Sequence, residues 1–143
     1  MAVVEKSVLI ERTATQMFDL VDRVEDYPAF LPWCGGTELI ERTDGKTAAR
    51  IHINYHGLKA HFATENPKEA PRWMDIQLRE GPFRHMDGGW RFTPLGDTAC
   101  KVEFRLHYEF SSKMLEKALG PIFHHIANTF VESFVKRAQQ VYG

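Results

Sequence analysis

The chain has 143 residues, 43% of them hydrophobic and 26% charged, with a formal net charge of -1. That is an ordinary globular balance at the size of one domain, able to bury roughly 70% of its unfolded surface without disulfides or metals. The near-neutral charge argues against a DNA-binding protein, and no apolar run approaches the ~18 residues of a membrane span.

The opening segment MAVVEKSVLIER lacks a basic stretch followed by an apolar run, so no secretory signal is expected. Residues 3–11 are β-branched and apolar and predict a strand. Thr13 is placed to cap a helix reaching Val24, with Met17, Phe18, Leu20 and Val21 on its apolar side. The segment DYPAFLPWCGG follows, at residues 26–36. Pro28 and Pro32 lie too close together for one regular helix, so a short aromatic turn is expected. It reads as a lid, a membrane-touching tip or a partner patch, or else as a hydrophobic plug for one end of the domain.

The period then switches to two. Residues 37–42 and 46–55 flank Thr43-Asp44-Gly45, a hairpin signal, and His56-Gly57 marks a second tight turn. A two-residue loop there pairs Tyr55 with Leu58, Ile53 with Ala60, Ile51 with Phe62 and Ala49 with Thr64. On the other face it pairs Asn54 with Lys59 and His52 with His61. Residues 73–79 put Met74, Ile76 and Leu78 on one face, and residues 85–94 do the same with Met86, Gly88, Trp90 and Phe92. A loop at Leu95-Gly96-Asp97 sets Phe92 against Cys100 and Trp90 against Val102. The next strand alternates Cys100, Val102, Phe104, Leu106, Tyr108 and Phe110 with polar residues. Ser111 or Ser112 caps a last helix to Tyr142, striped by Leu115, Leu119, Ile122, Ile126, Phe130 and Phe134 and bent near Gly120-Pro121.

Antiparallel strands with segregated helices define an α+β chain, in which the wide helix stripe covers the apolar sheet face. The inward strand positions after Lys46 are expected to lack Asp, Glu, His and Lys, leaving Tyr55, Thr64, Cys100 and Tyr108 as polar atoms. That set can orient a carbonyl but is poor in acid–base groups, so no enzyme is expected. Cys34 and Cys100 sit at no redox or metal spacing, which suits a reducing cytoplasm. His52 and His61 lack a third ligand, so no metal is expected either.

Tyr27-Pro-x-Phe-Leu-Pro-Trp-Cys34, Gly81-Pro-Phe83, Gly89-Trp-x-Phe-x-Pro-Leu95, Ile126-Ala-Asn-x-x-Val131 and Phe134-x-x-Arg-Ala138 together resemble the RatA/coenzyme-Q-binding family of the START-like, polyketide-cyclase-like superfamily. The resemblance spans essentially the whole chain. It implies a helix-grip fold, a curved antiparallel sheet of about seven strands around a long C-terminal helix, with a hydrophobic cavity. It implies no catalytic cofactor and two alternative roles. The first is binding of ubiquinone or another lipid, as a carrier or chaperone supporting respiration, in a cytoplasmic protein that touches the inner membrane. The second is a toxin that binds the large ribosomal subunit and blocks subunit joining. A cyclase-like enzyme ranks third.

For the first role, a pocket of roughly 300–1,000 Å³ is expected. Ile53, Tyr55, Phe62, Ile76, Trp90, Phe104 and Tyr108 line its sheet side and Ile126 and Phe130 its helix side. Tyr55 or Tyr108 donates to a quinone carbonyl, and Tyr27, Phe30 and Trp33 gate access and touch the membrane. For the second role, Lys113, Lys117, Lys136 and Arg137 form a basic patch.

Overall fold

A computed structural model of the chain describes residues 2–143. Seven strands form one antiparallel sheet: β1 (Ala2–Ile10), β2 (Cys34–Arg42), β3 (Lys46–Tyr55), β4 (Leu58–Glu69), β5 (Trp73–Glu80), β6 (Phe83–Leu95) and β7 (Ala99–Phe110). Their spatial order is β1-β7-β6-β5-β4-β3-β2. Helix α1 (Ala14–Asp22), a 3₁₀ turn at Val24–Asp26 and the one-turn helix α2 (Tyr27–Phe30) separate β1 from β2, and α3 (Lys113–Tyr142) closes the chain. This is the α+β helix-grip arrangement, with one apolar sheet face wrapped against α3.

Local chemistry explains the boundaries. Thr13 Oγ1 accepts from the Gln16 amide at 3.1 Å while Gln16 Oε1 accepts from the Thr13 amide at 2.9 Å, a reciprocal cap that starts α1. Helix α1 stops at Asp22, two residues short of the expected end, because the chain tightens into the 3₁₀ turn. Pro28 is tolerated in the first turn of α2, where its missing N–H costs nothing. Ser112 caps α3 through its hydroxyl, which accepts from the Leu115 amide at 3.1 Å.

The β3–β4 hairpin has the expected register, including His52 opposite His61. His56 (φ 50°) and Gly57 (φ 82°) both adopt the left-handed conformation that a two-residue turn of this hand requires. The β6–β7 register differs from expectation. Leu95 pairs with Ala99, so the loop is Gly96-Asp97-Thr98, Phe92 faces Val102 and Trp90 faces Phe104. The loop starts one residue later, with its positive-φ Gly96 first. The pairing therefore slides by two, which preserves every residue's face. At Gly88 a Cβ would stand 2.0 Å from the Arg105 carbonyl oxygen, so β6 and β7 approach too closely there for any side chain.

The inner sheet face also carries a charge that the pattern did not lead one to expect. The alternation of β4 continues inward past Thr64 to Asn66 and Lys68, so a lysine does occupy the inner face. Lys68 is 9% exposed, and its Nζ donates to both Asp22 carboxylate oxygens at 3.0 and 3.1 Å. Thr47 Oγ1 donates to the same carboxylate at 2.6 Å. A buried ammonium is tolerable only with such a partner, and the pair fastens the end of α1 to β4.

Candidate functional site

The aromatic side chains of the sheet face and α3 interlock. Trp90 stands 4.6 Å from Phe104, 5.7 Å from Phe130 and 5.4 Å from Phe134, centroid to centroid. Tyr27 meets Phe130 at 6.1 Å and Phe134 at 5.4 Å. The space left between sheet and helix is a cavity of about 70 Å³ with an apolar lining. That is well below the pocket expected from sequence, because these rings fill the divergence between the sheet and α3.

Eight of the twelve residues expected to line the pocket do so: Tyr27, Trp33, Phe62, Ile76, Trp90, Phe104, Ile126 and Phe130. Four stand elsewhere. Ile53 lines a separate cleft of about 10 Å³. Phe30 packs on Phe134 and lies under the Arg137 guanidinium. Tyr55 stacks on His125. Tyr108 packs against Phe123, with its hydroxyl 3.3 Å from His124 Nδ1. Neither tyrosine reaches the cavity, so the expected phenol donor to a bound carbonyl is not supplied by Tyr55 or Tyr108.

The lid reading of residues 26–36 is corrected in the same way. Tyr27 and Trp33 are each 4% exposed, and Leu31 is buried with them, so this segment plugs the domain. The Tyr27 hydroxyl donates to the Val21 carbonyl at 2.5 Å, and burial pushes its pKa far above the ordinary phenol value. Arg42 holds the segment from outside, with a two-pronged ion pair to Glu25 at 2.7 and 2.8 Å. That pairing draws the Glu25 carboxyl down to about 2.

Of the polar residues Trp33, Thr64 and Asn66 on the cavity lining, Trp33 and Thr64 were expected inside and Asn66 was not. Trp33 Nε1 is buried with no hydrogen-bond partner, and so is Asn66 Oδ1. Both side chains line the cavity, together with Thr64. The signal for Asn66 was present in the period of β4, one step beyond Thr64. None of the described lining residues is Asp, Glu, His or Lys. Burial raises the thiols of Cys34 and Cys100, which keeps them protonated core residues.

Elsewhere, a wider groove of about 650 Å³ crosses the outer sheet face, but it is open and charged. Its two arginines are already paired, Arg91 with Asp75 at 3.1 Å and Arg105 with Glu5 at 3.7 Å. Among the described residues no cluster of His, Cys, Asp and Glu can hold a metal, and no helix is long and apolar enough to cross a membrane.

A helix-grip fold with an apolar cavity between sheet and C-terminal helix defines the START-like class of folds. Residues 10–135 match the family described as polyketide cyclase/dehydrase and lipid transport, and the chain belongs to that family. It is 43% identical over 140 residues to the ribosome association toxin RatA of Vibrio cholerae, covering 98% of this chain and 97% of that protein. It is 26% identical over 133 residues to the mitochondrial coenzyme Q-binding protein COQ10 homolog B of Xenopus laevis, covering 90% of this chain and 54% of that one. Among solved structures, a START superfamily protein of Mycobacterium smegmatis superposes with a TM-score of 0.74 at 21% identity, covering 97% of this chain and 98% of that one.

Proposed function

We propose that this chain binds a ring-bearing hydrophobic lipid, ubiquinone or a relative, between its sheet and α3, and carries it without chemical turnover. The observation that carries this reading is a small apolar cavity between sheet and helix, among whose described lining residues two, Trp33 and Asn66, carry an unsatisfied polar atom. A ligand site of that kind is mostly apolar, with a few placed polar groups that set orientation. The relative named for coenzyme Q binding supports the choice of ligand class. At about 70 Å³ the cavity is smaller than the ~150 Å³ of an apolar cavity known to hold benzene, so it must widen to take a ring. Uptake requires a ring to swing out, and Phe130, half-buried on α3, is the one that both lines the cavity and reaches the surface. Exchange then takes place in transient contact with a membrane surface. A lining without carboxylate, imidazole or ammonium argues against cyclase chemistry.

Native mass spectrometry and organic extraction of the protein from its own host test this reading. An isoprenoid quinone near one per chain is the expected result. Protein that arrives empty and takes up no added quinone overturns it.

The second reading, association with the large ribosomal subunit, is favoured by the relatives named for it. The basic patch expected for it does not assemble as one surface. Lys117 and Lys136 are 19 residues apart on α3, which is about 28 Å along the helix. Cosedimentation with large subunits that falls steeply with salt would support this role, and salt-insensitive or absent cosedimentation would remove it.

A further inference from the structure

Two residues of the cavity lining, Trp33 and Asn66, each carry a buried atom without a hydrogen-bond partner, and the two atoms have opposite needs. Trp33, 4% exposed, offers an indole N–H, which can only donate. Asn66, 9% exposed, directs its amide nitrogen to the Met74 sulfur at 3.7 Å. A thioether can only accept, so this contact suits the amide nitrogen and leaves the oxygen Oδ1 without a partner. Each orphan carries a desolvation cost that a matching ligand group removes.

We propose that the cavity selects a headgroup carrying both an acceptor and a donor, so that it binds the reduced, phenolic state of a quinone-class ring in preference to the oxidised state. This rests on the lipid-binding reading above. Both redox states offer an oxygen to Trp33 Nε1. Only the reduced ring has an O–H to give to Asn66 Oδ1, and the oxidised ring leaves that oxygen buried and unpaired. The discrimination follows the general rule that a site built to hydrogen-bond a hydroxyl rejects the analogue lacking it. Leaving one neutral acceptor unsatisfied corresponds to roughly a 5- to 100-fold loss of affinity.

The test uses the full chain with decylubiquinone and with decylubiquinol under nitrogen, read by quenching of tryptophan fluorescence. The wild type should bind the quinol roughly 5- to 100-fold more tightly. By linkage, a tenfold preference raises the potential of the bound two-electron couple by about 30 mV, a second and independent readout. Asn66→Leu, a near-isosteric change that removes the orphan, should bring the two affinities within about twofold. Trp33→Phe should weaken both forms by a similar factor and keep their ratio. Equal affinity of the wild type for both forms overturns the headgroup assignment and leaves the lipid cavity standing, with a buried water serving Asn66 instead. A quinol preference that survives Asn66→Leu overturns it as well. Failure of the wild type to bind either form overturns the cavity reading and this one together.

Discussion

Truncating Phe130 to alanine separates a core that is merely full from a cavity that is closed by a movable ring. Phe130 touches Tyr27, Trp33, Trp90, Phe104 and Phe134 at centroid distances of 5.0 to 6.1 Å, yet its residue is only half-buried. A fully buried Phe→Ala change costs about 3–5 kcal/mol, and partial exposure brings this one to about 2–3 kcal/mol. For a chain of this length that lowers Tm by roughly 6–12 °C. The lost ring also joins its volume to the existing cavity of about 70 Å³. Added decylubiquinone should therefore bind faster than to wild type, with no ring to displace, and at 100 times Kd should restore about 2.7 kcal/mol. Calorimetry with and without ligand and stopped-flow tryptophan quenching measure both effects. Phe134→Ala is the control. Phe134 is 1% exposed and off the cavity lining, so its loss should cost about 3–5 kcal/mol with no change in the ligand on-rate. A Phe130→Ala protein that is destabilised but binds no faster, and gains nothing from ligand, refutes the idea that this ring controls uptake.

Lys68→Met should cost about 2–3 kcal/mol, less than the ~3–5 of a fully buried broken pair, because Asp22 keeps Thr47 and Arg42. Combined with Asp22→Asn the losses should be less than additive by about 1–2 kcal/mol in urea melts, and additive losses would deny the coupling. Gly88→Ala should exceed the ~1–3 kcal/mol of ordinary overpacking, since the contact it makes is with backbone that cannot rotate away; a near-native melt would contradict the close approach of β6 and β7. Glu25 has its carboxyl lowered from 4.5 to about 2 by Arg42, so its contribution is fully present above pH ~4.5 and is lost as pH falls toward 2. Urea midpoints measured between pH 5 and 2 should fall less steeply in Arg42→Met than in the wild type.

The sequence by itself determined the secondary structure and the faces. Strict alternation in residues 100–110 and the i+3/i+4 stripe of α3 name which side chains turn inward, because the two backbone periods leave no other choice once one face must leave water. His56-Gly57 set the β3–β4 register, since only a turn with two left-handed residues closes that hairpin so tightly. The β6–β7 register was less legible. A three-residue loop around Gly96 can begin at either of two positions with the same faces buried, and pairing across the strands chooses between them.

What only the tertiary structure decided is how inward residues share space. Inward parity put Tyr108 and Trp90 on the same face, but only the path of α3 sends the Tyr108 hydroxyl toward His124 while Trp90 borders the cavity. The packing of the Tyr27, Leu31 and Trp33 plug on α3 and the burial of Lys68 against Asp22 join segments far apart in the chain, as in the 46-residue separation of that ion pair. The volume left over depends on how rings from four elements interlock, and the two orphaned polar atoms depend on which groups happen to lack a neighbour. Neither is written in local pattern, because packing is a property of distances between segments that the chain's periodicity does not encode.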